Sequence, residues 1–256
     1  MGFDADINAC ADLVQQGDAD RFAATMASPV AARRILFPVY AFNVEVSRAP
    51  WVTKEPMIAE MRLQWWRDAL EEIAEARIVR RHNVVSPLAD ILTPDQAQTL
   101  DRLIEARRWD IGTDAFDDAA ALWTYLDATT GALLWVTAQA LGAPDADESA
   151  VRQVARAVAL ANWMQALPEL EARGKRPMHD GRAQTLAQLA HTTLQDLDAQ
   201  RGLSKAARLA LMSGWRARGV LRAVAQHPQR VARGDLVQAQ VARSAGLIRA
   251  RVSGRI

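Results

Sequence analysis

An all-α fold is predicted by three features of this chain of 256 residues. Ala, Leu, Arg, Gln and Glu, all good helix formers, are its main fillers. Apolar residues recur at helical spacing, and alternating β-branched runs bounded by turn residues are absent. Turn-forming pairs then cut the helical pattern into roughly eight to ten segments.

Taken in order, a first helix carrying Cys10 ends at Gly17-Asp18. The longer helices are expected at about 29–49, 56–77, 94–109, 117–141, 147–172, 182–200 and 204–226. Ser28-Pro29, Ser86-Pro87 and Thr93-Pro94 each read as an N-cap followed by Pro at the first helical position. Gly142 and Gly202 suit helix C-termini, where a glycine relieves the left-handed turn. Further breaks fall at Glu55-Pro56, Pro144, Arg176-Pro177 and His227-Pro228. No fixed repeat and no low-complexity linker interrupts the pattern, so residues 1–256 are read as one domain. Residues 234–256 are read as a basic docked helix with a loose tail.

Composition narrows the function classes. About half the residues are apolar and a quarter charged, as in ordinary globular chains. One cysteine excludes an intrachain disulfide and a cysteine-rich zinc site, and Cys10 suits a small apolar packing role. His82, His179, His191 and His227 show no metal-ligand spacing, and no glycine-rich phosphate loop occurs. No basic segment followed by an apolar run opens the chain, so no secretory signal is expected. The weakly polar stretch from Gly131 to Ala143 is shorter than the ~20 residues of a spanning helix. The expected location is cytoplasmic, with peripheral attachment to the inner membrane face as an added option.

The net charge of +1 conceals a strong polarity. From Arg201 onward there are twelve Lys/Arg and one acid, Asp235, giving +11; the remainder carries 19 basic and 29 acidic residues, giving −10. Two readings follow. The basic end either pairs with the acidic remainder or faces an anionic membrane. In the second, Leu236, Val237, Val241, Leu247 and Ile248 interleave with Arg243, Arg249 and Arg251 as in an interfacial helix. Nucleic acid is not an expected partner, because stacking aromatics are missing from that end.

Two stretches carry the most specific wording. The first is Tyr40-Ala41-Phe42-Asn43-Val44-Glu45, running on to Ser47, Arg48, Pro50 and Trp51, followed by Arg62-Leu63-Gln64-Trp65-Trp66-Arg67-Asp68. The second runs from Asn162 to Arg173-Gly174-Lys175. Arg33-Arg34, the segment Leu103 to Asp110, and Tyr125 six residues before Gly131 complete the order. Together, over about residues 20–179, they resemble the squalene/phytoene synthase family. The likeness is to a divergent branch that includes a mitochondrial complex I assembly factor.

That resemblance implies an all-α bundle of the isoprenoid (terpenoid) synthase type around a central cavity. In the family, two facing helices carry aspartates at helical spacing, which hold Mg²⁺ and, through it, a prenyl diphosphate. Aligned on Tyr40 and Gly174, those positions fall on Ser47, Arg48 and Trp51 and on Ala166 and Leu170, and none is a carboxylate. Pro50 is expected to interrupt the first helix, and Pro168 to disturb a turn of the second. The preferred reading is a catalytically degenerate member, without cofactor. It would act as an assembly or prenyl/lipid-binding factor at a membrane, with a respiratory complex subunit as partner. The alternative is an active head-to-head prenyltransferase on farnesyl or geranylgeranyl diphosphate, with Mg²⁺ on Glu45, Glu169 and Glu171. Candidate cavity or anion-binding residues are Arg33, Arg34, Tyr40, Asn43, Arg62, Tyr125, Asn162 and Lys175. Several have plainer readings. Arg33 and Arg34 suit an ion pair equally well, Arg48 suits a pair with Glu45, and Tyr40 and Asn162 suit structural roles. Of the adjacent Trp65 and Trp66, one suits the core and the other an interface or pocket, with core packing alone the preferred reading for either.

Overall fold

The computed structural model describes residues 5–53, 55–199, 202–236, 238, 240–253 and 256, and no strand occurs among them. Its helices are α1 (Ala5–Gly17), α2 (Ala19–Ala27), α3 (Val30–Arg48), α4 (Pro56–Ala74), α5 (Val85–Ala89), α6 (Pro94–Arg107) and α7 (Ala119–Leu126). They continue as α8 (Ala132–Ala140), α9 (Glu148–Ala172), α10 (Ala183–Ala199), α11 (Lys205–Leu211), α12 (Ala217–Gln226), α13 (Gln229–Ala232) and α14 (Gln240–Ser253).

Helix α8 explains how so many helices share one interior. It is apolar on nearly every face and feeds two cores. Leu134, Trp135 and Ala138 join the core built around α9 and α12, while Ala132, Leu133 and Val136 join the core of α1, α3, α4 and α6. Leu141 and Leu209 pack against both. Side chains three and four apart on a helix share a face, so one helix can serve two layers.

Several helix ends follow the sequence, and others depart from it. Thr93 forms a reciprocal capping box with Gln96, and Pro94 opens α6. Gly142 and Gly202 adopt φ of 90° and 80°, the left-handed conformation expected after a helix. Ser28 is not an N-cap but the C-cap of α2: its hydroxyl donates to the Ala24 carbonyl, and Pro29 takes the N-cap position of α3. Ser86 and Pro87 lie inside α5, where Ser86 Oγ accepts from the amide of His82. The predicted helix 117–141 is divided by a π turn at Asp127–Gly131. There Thr129 Oγ1 donates to the Tyr125 carbonyl at 2.7 Å. The predicted helix 204–226 is divided by a 3₁₀ turn at Met212–Gly214. A Cβ on Gly214 would stand 2.2 Å from Val158 Cγ2, so the tight turn against α9 requires glycine.

The two prolines have opposite outcomes. Helix α3 ends at Arg48, just before Pro50. Helix α9 instead passes through Pro168 to Ala172, as the helix expected over 147–172 does. Among the residues expected at a membrane, Leu236 is buried and Leu247 packs on the core, so this end is docked rather than a free interfacial helix. Val237 lies outside the described residues. The side chains of Val241 and Arg243 are likewise outside them.

Trp66 is buried edge-on against Phe42, while Trp65 is 36% exposed beneath Arg80. The His82 ring meets both indoles, and its Nδ1 accepts from the Val84 amide at 3.2 Å. Burial lowers the His82 pKa below the ordinary 6.5, against the pull of Glu45. Below that pH the unfolded chain therefore binds the proton more readily than the folded one. Stability is full above pH 6.5 and falls as pH drops through the window beneath it. Urea midpoints at pH 7 and pH 5.5 are expected to differ in that direction. His82→Asn, which keeps an acceptor for Val84, is expected to flatten the difference. An unchanged slope in that variant would remove His82 as its source.

Candidate functional site

Helices α3 and α9 bring their motif faces together across a cavity of about 560 Å³. Asn43, Ser47 and Trp51 recur every four residues along one wall, and Asn162, Ala166 and Leu170 do the same along the other. Arg48 stands exposed at the lip and makes no ion pair among the described residues. The floor is completed by Tyr125 and by Thr129 and Thr130 of the π turn. π turns inside α-helices often mark functional sites, because the inserted residue re-aims neighbouring side chains.

The lining is amphipathic. Val44, Leu126, Ala159, Trp163 and Leu170 supply apolar surface, interleaved with the hydroxyls and amides just named. Trp163 is held in place by an N–H donated to the Pro177 carbonyl at 3.2 Å and by ring contacts with Trp109, Phe116 and Tyr125. Trp51 is covered by the Arg173 guanidinium, 4.1 Å from the ring centre.

Three acids reach this cavity: Asp18, Asp20 and Asp110. None comes from the α3 or α9 motif, and each is already engaged. Asp18 caps α2 through the Arg21 amide and pairs with the Arg21 guanidinium at 2.6 Å. Asp20 pairs with Arg216. Asp110 accepts from Tyr125 Oη at 2.7 Å and from Arg107 Nη1 at 3.1 Å, while Arg107 also donates to Tyr125 Oη at 2.8 Å. Burial drives the Tyr125 phenol well above its ordinary pKa of 10, against the pull of Arg107. It therefore remains a donor at neutral pH, and the triad holds one positive and one negative charge. Sequence reasoning recorded the 103–110 segment but missed Asp18, Asp20 and Arg21. The Gly17-Asp18 break was the available signal, since an aspartate after a helix end is a natural cap for the next.

Other predicted residues serve elsewhere. Tyr40 is buried and donates to the Ala210 carbonyl at 3.2 Å. Arg33 donates to the carbonyls of Met26 and Ser28, closing the end of α2. Arg34 is outside the cavity lining. Arg62 lies on the outer side of α4, 4.0 Å from Glu45, so Glu45 meets Arg62 rather than Arg48. Lys175 donates to the carbonyls of Asp110 and Gly112 and covers Trp109, and burial lowers its pKa. Glu169 is exposed and paired with Arg173, and Glu171 is also exposed. Glu45, Glu169 and Glu171 thus fail to converge on the cavity. Among the described residues no three His, Cys, Asp or Glu side chains are grouped to hold a metal ion, and no helix is long and apolar enough to cross a membrane.

Similarity to known proteins bears on the fold and the family. A crystal structure of a dehydrosqualene synthase in complex with ligand superposes with a TM-score of 0.75 at 12% identity, covering 97% of this chain and 96% of that one. The squalene synthase HpnC from Alicyclobacillus acidocaldarius gives 0.58 at 19% identity, covering 97% and 94%. These similarities establish the isoprenoid synthase fold. In sequence, the chain is 30% identical over 167 residues to a Drosophila melanogaster homolog of NADH dehydrogenase (ubiquinone) complex I assembly factor 6. It is 23% identical over 172 residues to the Homo sapiens assembly factor 6. Each match covers 62% of this chain, and the chain spans about half the length of these relatives: 50% of the fly protein and 48% of the human one. The squalene/phytoene synthase profile matches residues 14–232, most of the chain, and the protein belongs to that family.

Proposed function

We propose that this protein is a non-synthase member of its family. It takes a prenyl or acyl chain into the cavity and assists assembly of a membrane-bound respiratory NADH dehydrogenase. The observation that carries the first part is the chemistry of the facing walls. Where the family resemblance expects carboxylates, the cavity presents Ser47, Arg48, Trp51, Ala166 and Leu170. The acids that do reach it are tied to Arg21, Arg216 and Arg107. These residues do not fit a Mg²⁺–diphosphate clamp, which needs ionised oxygens free to face the ion. They fit an amphipathic ligand whose tail lies on Leu126, Trp163 and Leu170 and whose polar end meets Asn43, Asn162 or Arg48. The assembly role is supported by the relatives named as complex I assembly factors. With it we propose a cytoplasmic location, against the inner membrane face.

The test is turnover. Purified protein is incubated with farnesyl or geranylgeranyl diphosphate, with and without Mg²⁺, and released diphosphate is measured. The expected result is no release above buffer under either condition. Mg²⁺-dependent release that disappears in Glu45→Ala or Glu169→Ala would restore the head-to-head prenyltransferase reading.

A further inference from the structure

A second surface, remote from the motif walls of the cavity, combines features that neither the fold nor the cavity explains. At the corner between α2 and α3, Met26 and Val30 are 44% and 58% exposed. Beside them α14 presents Ile248 and Val252, four residues apart on one face, at 63% and 82%. Helix α14 packs on α2 and on the Met212–Gly214 turn, which brings these two segments of distant sequence together. Between them runs a groove of about 610 Å³ whose charged lining is Lys205, Arg208 and Arg251, with no acid.

These three cations are exposed, and none makes an ion pair or side-chain hydrogen bond among the described residues. Arg33 adds a fourth positive charge at the edge. Its hydrogen bonds go to the carbonyls of Met26 and Ser28, and it makes no ion pair among the described residues. Asp147, which meets the start of α11, is buried and accepts from the Ser204 amide. The charge polarity of the sequence thus has a location: part of the basic excess after Arg201 is concentrated, unpaired, around a groove rimmed with exposed apolar side chains.

We propose that this face docks on an anionic lipid bilayer. Lys205, Arg208 and Arg251 would receive headgroup phosphates, and Met26, Val30, Ile248 and Val252 would enter the headgroup–acyl boundary. Apolar side chains interleaved with cations suit that boundary, and an anionic leaflet supplies the complementary charge. An acidic protein partner would use the cations but leave the aliphatic rim unexplained. No aromatic ring lines the groove, so nucleic-acid bases would find nothing to stack on. The inference deepens the membrane part of the proposed function and is independent of what the cavity holds. Vesicle binding and diphosphate release can therefore fail separately.

Flotation of the full chain with vesicles provides the test. The protein is expected to float with phosphatidylcholine vesicles containing phosphatidylglycerol and not with phosphatidylcholine alone, and added salt should weaken binding. Lys205→Glu/Arg208→Glu/Arg251→Glu is expected to lower partitioning by at least about a hundredfold, since each exposed cation near an anionic surface contributes roughly fivefold. Ile248→Ser/Val252→Ser is expected to lower it less. All five side chains are exposed, so thermal melts should stay unchanged. Binding that is absent, or equal on both vesicle types, would overturn the proposal. So would displacement by inorganic phosphate at matched ionic strength, which would reveal a simple anion site. Met57 and Met61 of α4 are also exposed, at 76% and 66%. Binding kept by the triple variant but lost in Met57→Ser/Met61→Ser would move the surface to that helix and also overturn the proposal. Loss of vesicle binding with capture by a polyglutamate resin would point to an acidic protein instead.

Discussion

Arg107→Ala is expected to destabilise the protein by about 3–5 kcal/mol, the usual consequence of removing one partner from a buried ion pair. Asp110 is almost wholly enclosed, with 3% of its side chain exposed. Without Arg107 it would keep the Tyr125 hydroxyl but lose the guanidinium opposite its other oxygen. For a chain of this length the melting temperature should fall by roughly 6–20 °C. Arg107→Lys should recover part of the loss, because an ammonium restores charge without the planar fork. Arg107→Leu/Asp110→Leu should be less damaging than Arg107→Ala, since a buried pair exchanged for apolar groups is often nearly neutral. A melting temperature within about a degree of the parent for Arg107→Ala would show that Lys175, which bonds the Asp110 carbonyl, already compensates the carboxylate.

This triad also marks the boundary of what could be read from sequence. Helical periodicity and capping locate the elements: Thr93 with Gln96, the glycines at 142 and 202, and the stop before Pro50 all follow local rules. Local rules fail where tertiary contact decides. The π turn at Asp127–Gly131 preserves a helical pattern on both sides, so periodicity reads it as one continuous helix. The 3₁₀ turn at Met212–Gly214 needs its glycine because Val158, far away in sequence, leaves no room for a side chain. Pro168 stays inside the helix expected over 147–172, and α9 is held on both sides of it by Leu167 and Leu170 in the core.

The candidate site divides in the same way. The four-residue spacing of Asn43, Ser47 and Trp51, and of Asn162, Ala166 and Leu170, makes each wall legible in isolation. Which charged groups join them is not legible. Arg33, Arg62 and Lys175 look equally suited to an anion, but packing gives them to carbonyls or to Glu45. Asp18 and Asp20 come from α2, which no spacing rule connects with α9.

Filling the cavity should separate ligand uptake from fold. Ala166 is partly exposed to the cavity in the C-terminal half of α9, four residues from both Asn162 and Leu170. Ala166→Phe keeps a helix-compatible residue and directs a ring into open space rather than into packed core, so the overpacking cost of about 1–3 kcal/mol should be largely avoided. The ring would occupy the apolar surface that a chain would otherwise cover beside Leu126 and Trp163. Binding of a fluorescent farnesol analogue is expected to weaken at least tenfold, equivalent to about 1.4 kcal/mol or more, with the melting temperature within a few degrees of the parent. Arg48→Ala provides the matching change at the polar end. It should weaken an analogue bearing an anionic head more than the uncharged alcohol, because Arg48 stands at the lip without an ion-pair partner among the described residues. Unchanged farnesol affinity in Ala166→Phe would mean that the chain does not lie between α3 and α9. The cavity would then be a relic of the fold, and the assembly role would rest on surface contacts alone.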